Sequence, residues 1–250
     1  MSVVVIIPAR FGSTRLPGKA LAEIGGVPMV VHVWRRARAA RGVDRVLVAT
    51  DDERIRRAVE GAGGEAVMTR PDHPSGTDRI AEVSRGLDAE IVVNVQGDLP
   101  LLDPAYVEAA VAPLGEAGGR VEMATLATAL RPGEAEREQV VKVVCDRRGE
   151  ALYFSRAPIP WPGGGGLRHI GLYAYRRRLL LELAELEPTP LERSERLEQL
   201  RALEHGHAIR VERVRADDSM IEVDTPEDLE RVRAIAAAGG PRSRRRRGDG

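Results

Sequence analysis

Along the chain, short unbroken apolar runs alternate with segments whose apolar residues recur every three to four positions. VVVIIP (3–8), RVLVAT (45–50), EAVMT (65–69) and EIVVNV (90–95) are rich in Val and Ile. Continuous runs of this length predict strands buried on both faces. Helical spacing falls between and after them, at 28–41, 53–62, 77–86 and 104–117. The first of these opens with Pro28 near its start and the second closes at Gly63-Gly64. The alternation predicts an α/β chain with a Rossmann-like, doubly wound, mixed but mostly parallel sheet covered on both faces.

After residue 120 the pattern changes. VEMATLAT (121–128), VVKVVC (140–145), ALYFS (151–155) and RHIGLYAYR (168–176) predict strands with short links and one Gly/Pro-rich loop, PIPWPGGGG (158–166). Helices are predicted at 177–187 and 190–206, a strand at 208–214, and a short strand IEV (221–223) leading into a last helix from Thr225. The expected organisation is one domain over 1–238, with about 120–176 forming an inserted β-rich lobe, followed by a disordered basic tail over 239–250.

Charge alters this picture little. The 250 residues balance to zero net charge, but 241–250 hold five Arg against one Asp, a net of +4, so the rest carries −4. A mildly acidic body argues against a nucleic-acid surface, and the tail reads as a solubilising end. A tail that touches nucleic acid or an anionic membrane is the alternative. No apolar run approaches the roughly 20 residues of a membrane span. No signal-peptide pattern precedes the first strand, so a cytoplasmic location is expected. The one cysteine, Cys145, excludes an intrachain disulfide and sits in an apolar run as a core residue.

The candidate chemistry begins where the first strand ends. In doubly wound sheets, ligands sit beyond the carboxyl ends of the strands. There, PARFGSTRLPGK (8–19) gathers Arg10, Arg15 and Lys19 with Gly12 and Gly18. Glycines let backbone N–H groups approach an anion, and the cations can neutralise phosphate. The spacing fits neither the Walker A loop nor G-x-G-x-x-G. Asp98, just past the strand in NVQGDLP, can face the same ligand, and carboxylates beside phosphates suit Mg²⁺. Asp224 precedes a capping box in which Thr225, Pro226 and Asp228 start the last helix. Spacing alone leaves Asp98 open as a turn residue and Asp224 as a helix-start anion. No Ser-His or Cys-His arrangement, H-E-x-x-H or C-x-x-C is evident, and no general base stands out.

PARFGSTRLPGK resembles the signature loop of sugar nucleotidyltransferases. The resemblance continues in order through VATDDERI (48–55), TRPDHPSGTDRIAEV (69–83), NVQGDLP (94–100), VVKVV (140–144), ALYFSRAPIPW (151–161), RHIGLYAYR (168–176), PLERSERLEQLR (190–201) and VDTPEDLERV (223–232). The ordered set is similar to the 3-deoxy-manno-octulosonate cytidylyltransferase family. The resemblance implies Mg²⁺-dependent transfer of CMP from CTP to 3-deoxy-D-manno-octulosonate (Kdo), giving CMP-Kdo and pyrophosphate for lipopolysaccharide synthesis.

By matched position, Arg10, Arg15, Lys19 and Asp98 would be catalytic. Pro8, Ala9, Ser13, His73, Ser75, Gly76 and Gln96 would join the three cations on the nucleotide. Arg79, Gln96, Arg156, His169, Tyr173, Glu198 and Gln199 would bind the sugar acid, and Asp98 with Asp224 the metal. A homodimer through the β-rich lobe is also implied. Two positions depart from the family pattern. Leu99 stands where Glu is usual, and Gln139 where Asn is usual. Ordinary roles remain open for several positions: Ser75 or Thr77 as a helix cap, Arg156 in a surface ion pair, His169 and Tyr173 as half-buried core, Glu198 on a solvated face. The functional alternatives are a cytidylyltransferase for another ulosonic acid, such as a sialic acid, and a CTP-binding regulator without turnover.

Overall fold

β1 (Val3–Ala9) is the axis of the molecule. Its Val/Ile run feeds two cores at once, because successive side chains point to opposite faces of a strand. Val3, Val5 and Ile7 belong to one buried cluster, and Val4 and Ile6 to the other. In this computed structural model the described residues are 1–12, 16–115, 120–215 and 220–240; the Arg-rich segment 241–250 lies outside them.

On one side β1 pairs in parallel with β4 (Arg45–Thr50), which pairs in parallel with β5 (Glu65–Met68). On the other side it pairs in parallel with β6 (Ile91–Asn94). A small hairpin of β2 (Glu23–Ile24) and β3 (Val27–Pro28), which the pattern did not predict, precedes α1 (Met29–Arg38). α1, α2 (Glu53–Gly61) and α4 (Pro104–Gly115) cover one face through Val30, Val33, Ile55, Val59 and Val107. α3 (Gly76–Arg85) and α5 (Arg177–Glu185) cover the other through Ile80, Leu179 and Leu180. The two-sided cover is the doubly wound arrangement expected of continuous apolar strands.

The sheet extends beyond β6 with a reversal. β10 (Leu167–Arg176) runs antiparallel between β6 and β7 (Met123–Ala129), and β11 (Ile209–Arg213) closes that edge parallel to β7. The order is β11-β7-β10-β6-β1-β4-β5 in a nine-stranded sheet. β8 (Lys142–Cys145) and β9 (Ala151–Ser155) hang off this path, β8 pairing with β10 and β9 with β8. Most of the β-rich segment is therefore woven into the central sheet, and only the β8–β9 hairpin projects from it.

Two predicted elements differ. The helix predicted over 190–206 is broken into α6 (Pro190–Glu195) and α7 (Gln199–Glu204), because Arg196 adopts a left-handed φ of 55°. That conformation cannot continue a right-handed helix. The break turns Glu198 and Gln199 inward. Residues 221–223 form no strand; the Val223 N–H instead donates to the Asp98 carbonyl at 3.0 Å. The last helix, α8 (Pro226–Ala237), begins with the predicted capping box of Thr225 and Asp228. No helix among the described residues is long and apolar enough to cross a membrane.

Candidate active site

The carboxyl ends of β1 and β6 open into a cavity of about 320 Å³. Its floor is made by close backbone approach. A Cβ on Gly97 would lie 2.9 Å from the Pro8 carbonyl, and one on Gly76 3.4 Å from the Pro8 ring. At Gly97 only glycine lets the turn after β6 pass Pro8 so closely, whereas a Cβ at Gly76 would make an ordinary contact. Gly18, with φ 70°, turns the chain into a short 3-10 helix, Lys19–Leu21. That turn brings Lys19 to the cavity wall, while Arg10 lies exposed at the mouth. Ser13 and Arg15 lie outside the described residues.

Lys19 Nζ donates to Asp98 Oδ2 at 2.8 Å and to Asp224 Oδ1 at 3.1 Å. Burial opposes the lysine charge, but the two carboxylates prevail and raise its pKa above the usual lysine range. The Val223–Asp98 main-chain bond brings Asp224 to this position. Asp228 Oδ2, which accepts from the Asp224 and Thr225 N–H groups, holds it there. Asp98 Oδ1 is buried with no hydrogen-bond partner. A buried carboxylate oxygen left unpaired is costly, so the pair suits a cation with more positive charge than one ammonium. Two carboxylates on one cation fit a Mg²⁺ that takes its other ligands from phosphate and water.

The turn before α3 forms the opposite wall, with Ser75 as N-cap. Ser75 Oγ accepts from the Asp78 N–H at 3.2 Å and lies 2.9 Å from Glu198 Oε1; Thr77 Oγ1 donates to Glu198 Oε2 at 2.8 Å. Burial pushes the Glu198 carboxyl above its usual range. His73 is almost wholly buried, with Nε2 bonded to Glu82. Arg79 lines the same cavity. Its guanidinium is committed to Asp51 Oδ2 at 2.9 Å and Thr69 Oγ1 at 2.5 Å.

Pro8, Ala9, Arg10, Lys19, His73, Ser75, Gly76, Arg79, Gln96, Asp98 and Asp224 thus line one cavity. Tyr173, Glu198 and Gln199 line a neighbouring pocket of about 30 Å³, joined to the first through the Ser75 and Thr77 bonds to Glu198. The Gln199 amide nitrogen there is buried without a partner. His169 lines neither. It stands edge-on to Phe154, with ring centroids 5.0 Å apart, and meets Thr125 Oγ1 at 3.0 Å; burial lowers its pKa to about 3. Arg156 lies apart in an open groove with Glu138, Gln139 and Glu195, and it makes no ion pair among the described residues. Its guanidinium donates to the carbonyls of Glu195, Glu138 and Arg196. Leu99 packs into the core at 1% exposed.

Sequence reasoning passed over Thr77, Glu82, Lys142 and Glu195. Only Lys142 carried a local signal, a charged residue inside the apolar run VVKVVC.

These features define a nucleotidyltransferase-like α/β fold with a cavity-lining lysine between paired carboxylates. The chain matches the cytidylyltransferase family model over residues 4–213. It is 55% identical over 246 residues to a 3-deoxy-manno-octulosonate cytidylyltransferase from Anaeromyxobacter sp. (strain Fw109-5), covering 95% of this chain and 98% of the relative. It is 54% identical to the one from Syntrophotalea carbinolica, covering 94% and 98%. A solved structure of CMP:2-keto-3-deoxy-manno-octonic acid synthetase complexed with CTP is 45% identical, with a TM-score of 0.91 over 96% of this chain and 100% of that one. The chain belongs to the 3-deoxy-manno-octulosonate cytidylyltransferase family.

Proposed function

We propose that the protein transfers CMP from CTP to Kdo. A hydroxyl oxygen of the sugar acid bonds to the α-phosphorus of CTP, the bond from that phosphorus to the β-phosphate oxygen breaks, and pyrophosphate leaves; the hydroxyl proton goes to solvent. The observation that carries this reading is Lys19 between Asp98 and Asp224, in a cavity whose other wall is the Ser75–Gly76 turn. Phosphoryl transfer of this kind relies on positioning and charge stabilisation rather than a protein nucleophile.

Lys19 and Arg10 face the triphosphate and offset its negative charge as pyrophosphate departs, with Arg15 assigned the same task by its place in the loop. Ser75 and Gly76 offer a hydroxyl and open backbone to the base. Gln96 lies between the nucleotide and the sugar acid. Tyr173, Glu198 and Gln199 meet the sugar hydroxyls, and Arg156 its carboxylate. Asp98 and Asp224 would hold Mg²⁺, which when bound polarises the phosphate and neutralises charge on the leaving group. The protein is read as a cytoplasmic homodimer that supplies lipopolysaccharide synthesis.

The test is pyrophosphate release with CTP, Mg²⁺ and Kdo, compared with N-acetylneuraminate as acceptor, UTP as donor, and Asp98→Ala. Release confined to CTP with Kdo, and lost in the variant, supports the reading. Release with another acid moves the acceptor. CTP binding without release under any condition favours a regulator.

A further inference from the structure

The Lys142 side chain is fully buried, at 0% exposed. Burying an ammonium is expensive unless every N–H finds an acceptor. Here all three do. Nζ donates to the Val140 carbonyl at 2.7 Å, to the Arg137 carbonyl at 3.1 Å, and to the Arg156 carbonyl. None of these acceptors is a carboxylate, and neither Lys142 nor Arg156 has an ion-pair partner among the described residues. A well-packed apolar side chain would fill the space with less desolvation. What it could not do is tie together two stretches of main chain.

Those two stretches meet again at Arg156. The carbonyls of Arg137 and Val140 bracket Glu138 and Gln139, and the Glu138 carbonyl accepts from Arg156 Nη1 at 3.1 Å. At the end of β9, Lys142 holds the Arg156 carbonyl while the Arg156 N–H donates to Glu195 Oε2 at 2.9 Å. Lys142 therefore fixes both the backbone that carries the guanidinium and the turn that receives it. Three of the five guanidinium N–H donors are used on carbonyls, which leaves two for a ligand.

We propose that Lys142 is a positioning residue for the acid substrate: its buried ammonium ties the 137–140 turn to the end of β9 and thereby aims Arg156 at the sugar carboxylate. This rests on the assignment of Arg156 to the sugar acid under the proposed function.

The test is steady-state kinetics with CTP and Kdo on the full chain for wild type, Lys142→Met, Arg156→Ala and the double variant, with melting temperatures alongside. Lys142→Met is expected to raise KM for Kdo about tenfold while KM for CTP stays within about twofold, and Arg156→Ala to do the same. The double variant should be no worse than Arg156→Ala alone, because residues acting as a unit are not additive. Should Lys142→Met not fold, Lys142→Gln, which keeps two donors, is read on the same axes. Equal rises in both KM values, or a fully additive double variant, would reduce Lys142 to a structural residue and overturn the proposal. If Arg156→Ala raises KM for Kdo and the Lys142 variants do not, the positioning role alone fails. If Arg156→Ala leaves it unchanged, the assignment of Arg156 fails and takes the proposal with it.

Discussion

Asp98 and Asp224 meet at Lys19, whose Nζ sits 2.8 Å from one carboxylate and 3.1 Å from the other. In the proposed metal role, the ammonium stands where the divalent ion would bind. On the proposed reading, a metal held by both carboxylates would need Lys19 to leave the pair, and triphosphate oxygens would take up its ammonium. Lys19→Met should therefore tighten Mn²⁺ binding in the absence of nucleotide by about tenfold, roughly 1.4 kcal/mol. It should also lower kcat/KM by about a hundredfold or more through lost charge stabilisation. Mn²⁺ titration followed by electron paramagnetic resonance, beside steady-state rates, checks both. Unchanged or weaker Mn²⁺ binding would show that the lysine does not compete.

Gly97→Ala tests the cavity floor. Its Cβ would meet the Pro8 carbonyl at 2.9 Å, and backbone cannot yield as a side chain can. Overpacking of this kind costs about 1–3 kcal/mol. The shift falls on the turn that carries Asp98, and ångström-scale misplacement at a reacting centre costs about 10²-fold in rate. Activity should fall much further than the melting temperature. A proportionate loss of both would mean that the floor is only structural.

Thr225→Ala removes the α8 cap, where Thr225 Oγ1 accepts from the Asp228 N–H at 3.2 Å. The expected loss is about 1 kcal/mol of stability in urea denaturation. Because Asp228 also holds the Asp224 N–H, the variant should bind Mn²⁺ more weakly in the presence of CTP. Full metal affinity in a destabilised variant would separate the cap from the site.

His169 predicts a pH dependence. Burial lowers its pKa from 6.5 to about 3. Between those values the unfolded chain binds a proton that the folded chain refuses, so stability falls as pH drops below 6.5. The slope approaches about 1.4 kcal/mol per pH unit for one such group. His169→Gln should flatten that part of the curve. Denaturation at pH 7, 6 and 5 measures it, and equal slopes for both proteins would exclude His169 as the cause.

The sheet was legible because its strands are buried on both faces. Val3 to Ile7 carry no polar interruption, and that alone announces a parallel strand between two layers of helix. The loop after that strand stood out from local chemistry, since glycines and cations cluster there, and the structure brings its Lys19 to the cavity wall. The capping box at Thr225 is likewise a short-range bond pattern. The break at Arg196 was not legible, because the contacts that accompany the left-handed turn, Glu198 with Ser75 and Thr77 and Arg156 with the Arg196 carbonyl, come from distant parts of the chain.

Local sequence determined the elements, the loop and the helix caps, since each is set by neighbours within a few residues. Tertiary structure alone decided that Lys19 bridges Asp98 and Asp224, that His169 lies half-buried away from both cavities, and that Lys142 reaches three carbonyls. These contacts join side chains and main chain brought together by the sheet order and by single main-chain bonds such as Val223 to Asp98. Periodicity records which face of an element is buried, but it carries no information about which distant element that face will meet.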